Sequence, residues 1–153
     1  MELTKQIENS KTVALDTTIF IYYIEQNPKY YSLLDSIFKR SNLKENPFKI
    51  VTSSITLIEV LTKPIKEKRF DLVEKYQEIL LSSDNIFVLM VETNIAKKSA
   101  ELKAKYGFLR TPDAIQLAAA IYGEADIFIS NDKKLKEISE IKCIYLDEVL
   151  LKV

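Results

Sequence analysis

Four carboxylates in this sequence stand where a fold can gather them for chemistry: Asp16, Glu59, Asp113 and Asp132. Asp16 ends the apolar run Val13-Ala14-Leu15 and is followed by Thr17-Thr18, while Asp132 comes two residues after Ile127-Phe128-Ile129-Ser130. Asp113 follows Thr111-Pro112, a pattern that opens a helix. Glu59 lies within Ile55-Thr56-Leu57-Ile58-Glu59-Val60-Leu61, so partial burial is expected for it. An ionised carboxylate taken out of water without a partner is prohibitively costly. Lys63, at i+4, offers only about 0.3–0.5 kcal/mol as an exposed pair; Arg110 reaching over, or a metal ion, compensates better. Crowded carboxylates raise one another's pKa unless a divalent cation sits among them. An all-oxygen donor set selects a hard ion, Mg²⁺ or Mn²⁺, over zinc or copper. That is the apparatus of metal-assisted phosphodiester hydrolysis, and four acids hold either one ion or two.

Three of these acids also have a plainer reading. Asp16 serves equally well as the cap of a helix beginning at Thr18, and Asp113 and Asp132 as first-turn acids favoured by the helix dipole at about 0.3–1 kcal/mol each. Glu59 has no such account. The rest of the composition narrows the chemistry. Among 153 residues there is no histidine, which removes imidazole bases and His-ligated zinc. The single cysteine, Cys143, sits in an apolar run and reads as an inert core thiol in a reducing compartment. Acids and bases balance at 22 each, so no global field announces a nucleic-acid partner. The N-terminal segment does not read as a signal peptide and no apolar run approaches spanning length, so a cytoplasmic chain with no membrane partner is expected.

The elements that must position the acids alternate between strands and helices. Residues 1–11 read as a polar lead-in, 12–15 as a strand and 18–25 as a helix. A helix over 29–41 carries Leu33, Leu34, Ile37 and Phe38 on one face, and 48–52 is a second strand. Ser53-Ser54 caps a helix over 55–62 that should end near Lys63-Pro64, and another spans 65–81 with Phe70, Val73, Tyr76, Gln77 and Leu80 at helical spacing. Residues 86–91 form a third strand, and the helix over 94–106 stops at Gly107 as a C-cap. A buried helix runs from 111 to 122, followed by strands over 127–130 and 141–145 around a short helix over 133–139. A last helical turn falls near 147–151. This is an α/β pattern, one domain over residues 1–153 with a parallel sheet of about five strands flanked by helices on both faces. Asp16 then lies at the carboxyl edge of the sheet, where such folds hold ligands.

The stretches Val-Ala-Leu-Asp16-Thr17-Thr18, Ser-Ser-Ile-Thr-Leu-Ile-Glu59, Arg110-Thr-Pro-Asp113-Ala-Ile-Gln-Leu and Ile-Ser130-Asn131-Asp132 resemble, in order, the motifs of a PIN domain, and within that family the VapC-type toxins. The likeness spans nearly the whole chain. It implies a Rossmann-like sheet and a Mg²⁺/Mn²⁺-dependent endoribonuclease, with Asp16, Glu59, Asp113 and Asp132 at the acidic positions. It also implies that Thr17 and Ser130 orient those acids. Thr18 stands where Asn or Ser is common and Ser130 where Thr is more usual. The implied partners are an RNA substrate, an antitoxin protein and a second copy of the chain. Arg110 and Asn131 are the candidate phosphate or supporting contacts, and lysines near Glu59, Asp113 and Asp132 offer further cations. Tyr22, Tyr23, Tyr30 and Tyr31 suit base stacking, core packing or an interface. The alternative is a catalytically inactive PIN-like module that binds RNA or protein. A haloacid-dehalogenase-like phosphotransferase is disfavoured because Asp16-Thr17-Thr18 lacks the second Asp of Asp-x-Asp.

Overall fold

Strand β1 (Thr12–Leu15) lies at the centre of the sheet, with a neighbour on each side. The computed structural model describes residues 2–151. In it β1 is flanked by β2 (Lys49–Ser53) and β4 (Ile127–Ser130), with β3 (Ile86–Leu89) and β5 (Lys142–Tyr145) at the edges, in the order β3-β2-β1-β4-β5. All four pairings are parallel. The chain builds outward from β1 to β3, then returns to the other side of β1. The order therefore reverses at the β1–β4 junction, the place where open α/β sheets leave a crevice beyond the strand ends.

Alternate residues of each strand feed two cores, as period-two geometry requires. Val13, Leu15, Ile50, Ile127 and Ile129 face α1 (Glu2–Glu8), α2 (Thr17–Ile24), α3 (Tyr31–Ser41), α4 (Ile55–Lys66) and α5 (Phe70–Ser82). Ala14, Val51 and Phe128 face α6 (Thr93–Lys105) and α7 (Thr111–Tyr122). A 3-10 turn over Lys133–Glu137 leads to β5, and α8 (Leu146–Leu150) follows it. Burial on both faces explains why these strands read as unbroken apolar runs. Gly123 ends α7 so close to the sheet that a β-carbon there would lie 3.2 Å from Leu89 Cδ1 and 3.3 Å from Val51 Cγ2.

Several expectations are corrected. The lead-in is helical: α1 buries Leu3 and Ile7, one turn apart on a single face, with polar residues around them. Helix α4 does not stop at Pro64 but runs to Lys66. Pro64 lacks a donor, yet it is buried in the core-facing stripe with Thr56 and Val60. The next helix starts at Phe70, not Ile65, because the chain turns at Lys68 with φ 55°. Phe70 faces solvent while Tyr76 and Leu80 are buried. Gly107 is not a left-handed cap: α6 ends at Lys105 with Tyr106 in extended backbone.

Candidate active site

Asp16 occupies the first position beyond β1, where its extended backbone (φ −71°, ψ 157°) lets it cap α2. Its Oδ1 accepts a bond from Thr17 N–H at 2.8 Å and its Oδ2 one from Ser130 Oγ at 2.7 Å. Its own N–H donates to the Ile129 carbonyl at 3.0 Å. The capping role and the site role therefore coexist. Burial pushes the Asp16 carboxyl up from 3.8 to about 6, and the charges of Asp113 and Glu59 push the same way, while the bonds from Ser130 and Thr17 hold the rise back. This half-buried acid thus feels two others as like charges.

Glu59 is exposed, contrary to the expectation of partial burial. Helix α4 turns Thr56, Val60 and Pro64 to the core, which sets Glu59 at the rim of the crevice and leaves Ile58 64% exposed. Among the described residues neither Lys63 nor Arg110 forms an ion pair with it. Thr17 Oγ1 instead donates to Glu59 Oε1 at 2.8 Å. Asp113, in the first turn of α7, pairs with Arg110 (Nε to Oδ2, 3.2 Å); the acid side chain is 13% exposed and the arginine 79%. The Arg110 pKa is raised by Asp113 first, with Asp132 and Glu59 adding to it, so the guanidinium stands before three acids at once. Asp132 caps the 3-10 turn, its Oδ1 accepting from Lys134 N–H at 3.0 Å. Ser130 Oγ links both sides of the junction, accepting from Asp132 N–H at 3.1 Å while donating to Asp16.

Thr17 thus links Asp16 to Glu59 and Ser130 links Asp16 to Asp132, while Asp113, held by Arg110, reaches Asp16 through its charge alone. The four acids do not close into a ready ion seat. Among the described residues no group of three or more acid or cysteine side chains is gathered tightly enough to hold a metal. The donor chemistry nevertheless fits a hard divalent cation: oxygen only, with like charges that destabilise one another when uncompensated. Mg²⁺ in particular binds through one or two carboxylates and keeps its remaining waters.

Asn131 is engaged away from the crevice. Its amide donates to the hydroxyls of Tyr22 and Tyr30 at 3.2 and 3.1 Å and accepts from Asp147 N–H at 3.1 Å. These bonds tie the loop that carries Asp132 to α2, to Tyr30 and to the start of α8. The tyrosines stack on one another and on Phe38, with Tyr22 on Tyr30 at 4.1 Å and Tyr23 on Phe38 at 3.9 Å. Tyr30 is buried in the core with Tyr22 and Tyr23 packed against it, and Tyr31 is half-buried beside Tyr23. Of the lysines, Lys98, Lys105 and Lys136 pair with acids, whereas Lys63, Lys66, Lys133 and Lys134 are exposed beside the crevice elements. Burial pushes the Cys143 thiol up to about 12, in keeping with an inert role.

Sequence reasoning missed the buried hub beneath the acids. Gln116, 3% exposed on α7, donates to Thr17 Oγ1 at 2.9 Å and Thr56 Oγ1 at 2.6 Å and accepts from Ser53 Oγ at 2.9 Å. The available signal was one amide inside the otherwise apolar Ala-Ile-Gln-Leu-Ala-Ala-Ala. Ser53, not Ser54, meets the start of α4, accepting from Ile55 N–H at 3.3 Å.

Known proteins share this arrangement of strands and helices. The toxin–antitoxin complex VapBC2 of Rickettsia felis, solved bound to promoter DNA, superposes with a TM-score of 0.66 at 21% identity, covering 87% of this chain and 97% of that one. The sarcin–ricin loop cleaving toxin VapC20 of Mycobacterium tuberculosis gives 0.65 at 13% identity, covering 85% and 98%. A toxin–antitoxin complex from Klebsiella pneumoniae gives 0.62 at 22%, covering 84% and 94%. No curated protein sequence matches the chain. The sequence profile of the PIN domain matches residues 13–141. Carrying that match over most of its length, on a parallel five-stranded α/β fold, the chain belongs to the PIN domain family.

Proposed function

We propose that this PIN domain is a Mg²⁺- or Mn²⁺-dependent endoribonuclease and the toxin of a toxin–antitoxin pair. The observation that carries the reading is Asp16, a capped acid held at about 6 by burial and by Asp113 and Glu59 at the rim of one crevice. Asp16, Glu59, Asp113 and Asp132 are the residues that would hold the ion. When bound, it would polarise a phosphoryl oxygen and lower the pKa of a coordinated water. Thr17 and Ser130 fix the directions of the Glu59 and Asp16 carboxylates by donating to them. Arg110 presents an exposed guanidinium at the mouth, suited to a phosphate of the RNA backbone. Exposed Lys63, Lys66, Lys133 and Lys134 extend that cationic rim.

The partner reading rests on surface chemistry. Ile58, Ile65 and Phe70 are exposed on α4 and at the start of α5, an apolar face suited to an antitoxin segment; a second copy of the chain is the other partner we propose. No helix among the described residues is long and apolar enough to cross a membrane, and a cytoplasmic location is part of the same proposal. The test is RNA cleavage with added Mg²⁺ or Mn²⁺, abolished by EDTA and by Asp113→Asn. Equal cleavage by the Asn variant would refute the mechanism. A non-catalytic RNA- or protein-binding module is the second reading, favoured by the absence of a closed three-acid seat among the described residues. It predicts binding without turnover, indifferent to EDTA.

A further inference from the structure

Under the acids lies a buried polar network whose hydrogen bonds all run one way. Thr52, Ser53, Thr56 and Gln116 are each no more than 3% exposed and come from β2, α4 and α7. Each hydroxyl has one proton to give. Glu59, an acceptor, takes the proton of Thr17 at 2.8 Å. Thr17 must then be the acceptor in its 3.1 Å contact with Thr56, and Thr56 in its 2.8 Å contact with Thr52. Both protons of the Gln116 amide enter the same chain, at Thr17 and Thr56, while its carbonyl is held by Ser53 at 2.9 Å. Thr52 also lies 3.5 Å from that carbonyl, but its one proton goes to the shorter 2.8 Å contact with Thr56. A reversed amide would accept the Thr17 proton and leave Glu59 without its donor.

We propose that Gln116 is a positioning residue that, acting through Thr17, holds the Glu59 carboxylate in place at the crevice. The consequence for metal binding rests on the nuclease reading above; the positioning itself does not. The amide saturates Thr17 with donors, so the only proton Thr17 owns points outward to Glu59. Bonds in such a chain polarise one another, and the groups that orient metal-binding carboxylates carry a large share of their affinity. Gln116 also lies one turn beyond Asp113 on α7. One helix therefore carries an acid of the crevice and the group that orients another acid 57 residues away in sequence.

The test compares the parent with Gln116→Met, Thr17→Val, Thr17→Ser and the Gln116→Met/Thr17→Val double variant. Crystal structures report the Thr17–Glu59 contact, the electron paramagnetic resonance signal of free Mn²⁺ reports affinity, and thermal melting checks the fold. In Gln116→Met the Thr17–Glu59 bond should be lost. Mn²⁺ affinity should fall roughly ten- to a hundred-fold in Gln116→Met and in Thr17→Val but hold in Thr17→Ser. The double variant should bind no more weakly than Thr17→Val alone. A Gln116→Met structure with Glu59 still on Thr17, or losses that add in the double variant as independent sites do, would overturn the proposal. If Gln116→Met does not fold, Gln116→Glu at pH 8 gives the same readout, since its two oxygens draw the Thr17 proton inward. A parent that neither binds Mn²⁺ nor cuts RNA refutes the nuclease reading, and the pair of crystal structures then decides the positioning on its own.

Discussion

Asp16→Asn should make the protein more stable while it stops the chemistry. The Asp16 carboxyl titrates at about 6 in the folded chain against 3.8 as the reference. The folded state therefore binds the extra proton between those values, and stability falls as pH rises through that window. Above pH 6 the penalty is constant, about 3 kcal/mol at 1.36 kcal/mol per unit. Asparagine carries no charge and removes it. Part of the gain is returned, because the Ser130 hydroxyl now gives its proton to Asp16 Oδ2 at 2.7 Å. Losing that acceptor costs about 1–2 kcal/mol. The net expectation is about 1–2 kcal/mol of stabilisation at pH 8, a rise of roughly 2–8 °C in Tm. At pH 4, where the folded-state acid is neutral and the unfolded-state acid is only partly ionised, the charge penalty falls to roughly 0.5 kcal/mol, and the gain should vanish or reverse. The assay is thermal and urea unfolding in EDTA from pH 4 to 8. Added Mg²⁺ should then raise the parent's Tm but not the variant's, since only the parent is expected to bind the ion. A variant less stable than the parent at pH 8, or a difference that does not depend on pH, would refute the argument.

Leu117 is fully buried between α7 and the sheet, so Leu117→Ala should cost about 2–5 kcal/mol in urea unfolding. Arg110→Ala should leave the melting temperature unchanged, because the side chain is 79% exposed. It should weaken RNA binding and flatten the slope of log affinity against log salt by about 0.7, measured by fluorescence anisotropy. Cys143, with its thiol pushed up to about 12, should resist Ellman's reagent at pH 8 in the native protein and react on unfolding.

What the sequence made legible follows from which forces act locally. Apolar runs such as Val13-Ala14-Leu15 and Ile127-Phe128-Ile129 announce buried parallel strands because both their faces are covered, and Thr111-Pro112-Asp113 announces a helix start by its own chemistry. The short α1 was hidden because only Leu3 and Ile7 mark its inner face. Pro64 pointed to a helix end, but tertiary packing overrode the local signal and carried α4 on to Lys66. Glu59 was misjudged for the same reason: its aliphatic neighbours include Ile58, which turns outward at 64% exposure. The Gln116 hub was beyond local reading, since its partners lie 60 and 99 residues away.

The central place of β1 has a consequence for synthesis on the ribosome. Its second edge and the Ser130 hydroxyl that steadies Asp16 both arrive with β4, 114 residues later. At about 5–20 residues/s, translation takes roughly 6–23 s to cover that span. Until then the crevice cannot assemble around the first of its acids, and a growing or prematurely ended chain lacks the Asp16–Ser130 junction by topology alone.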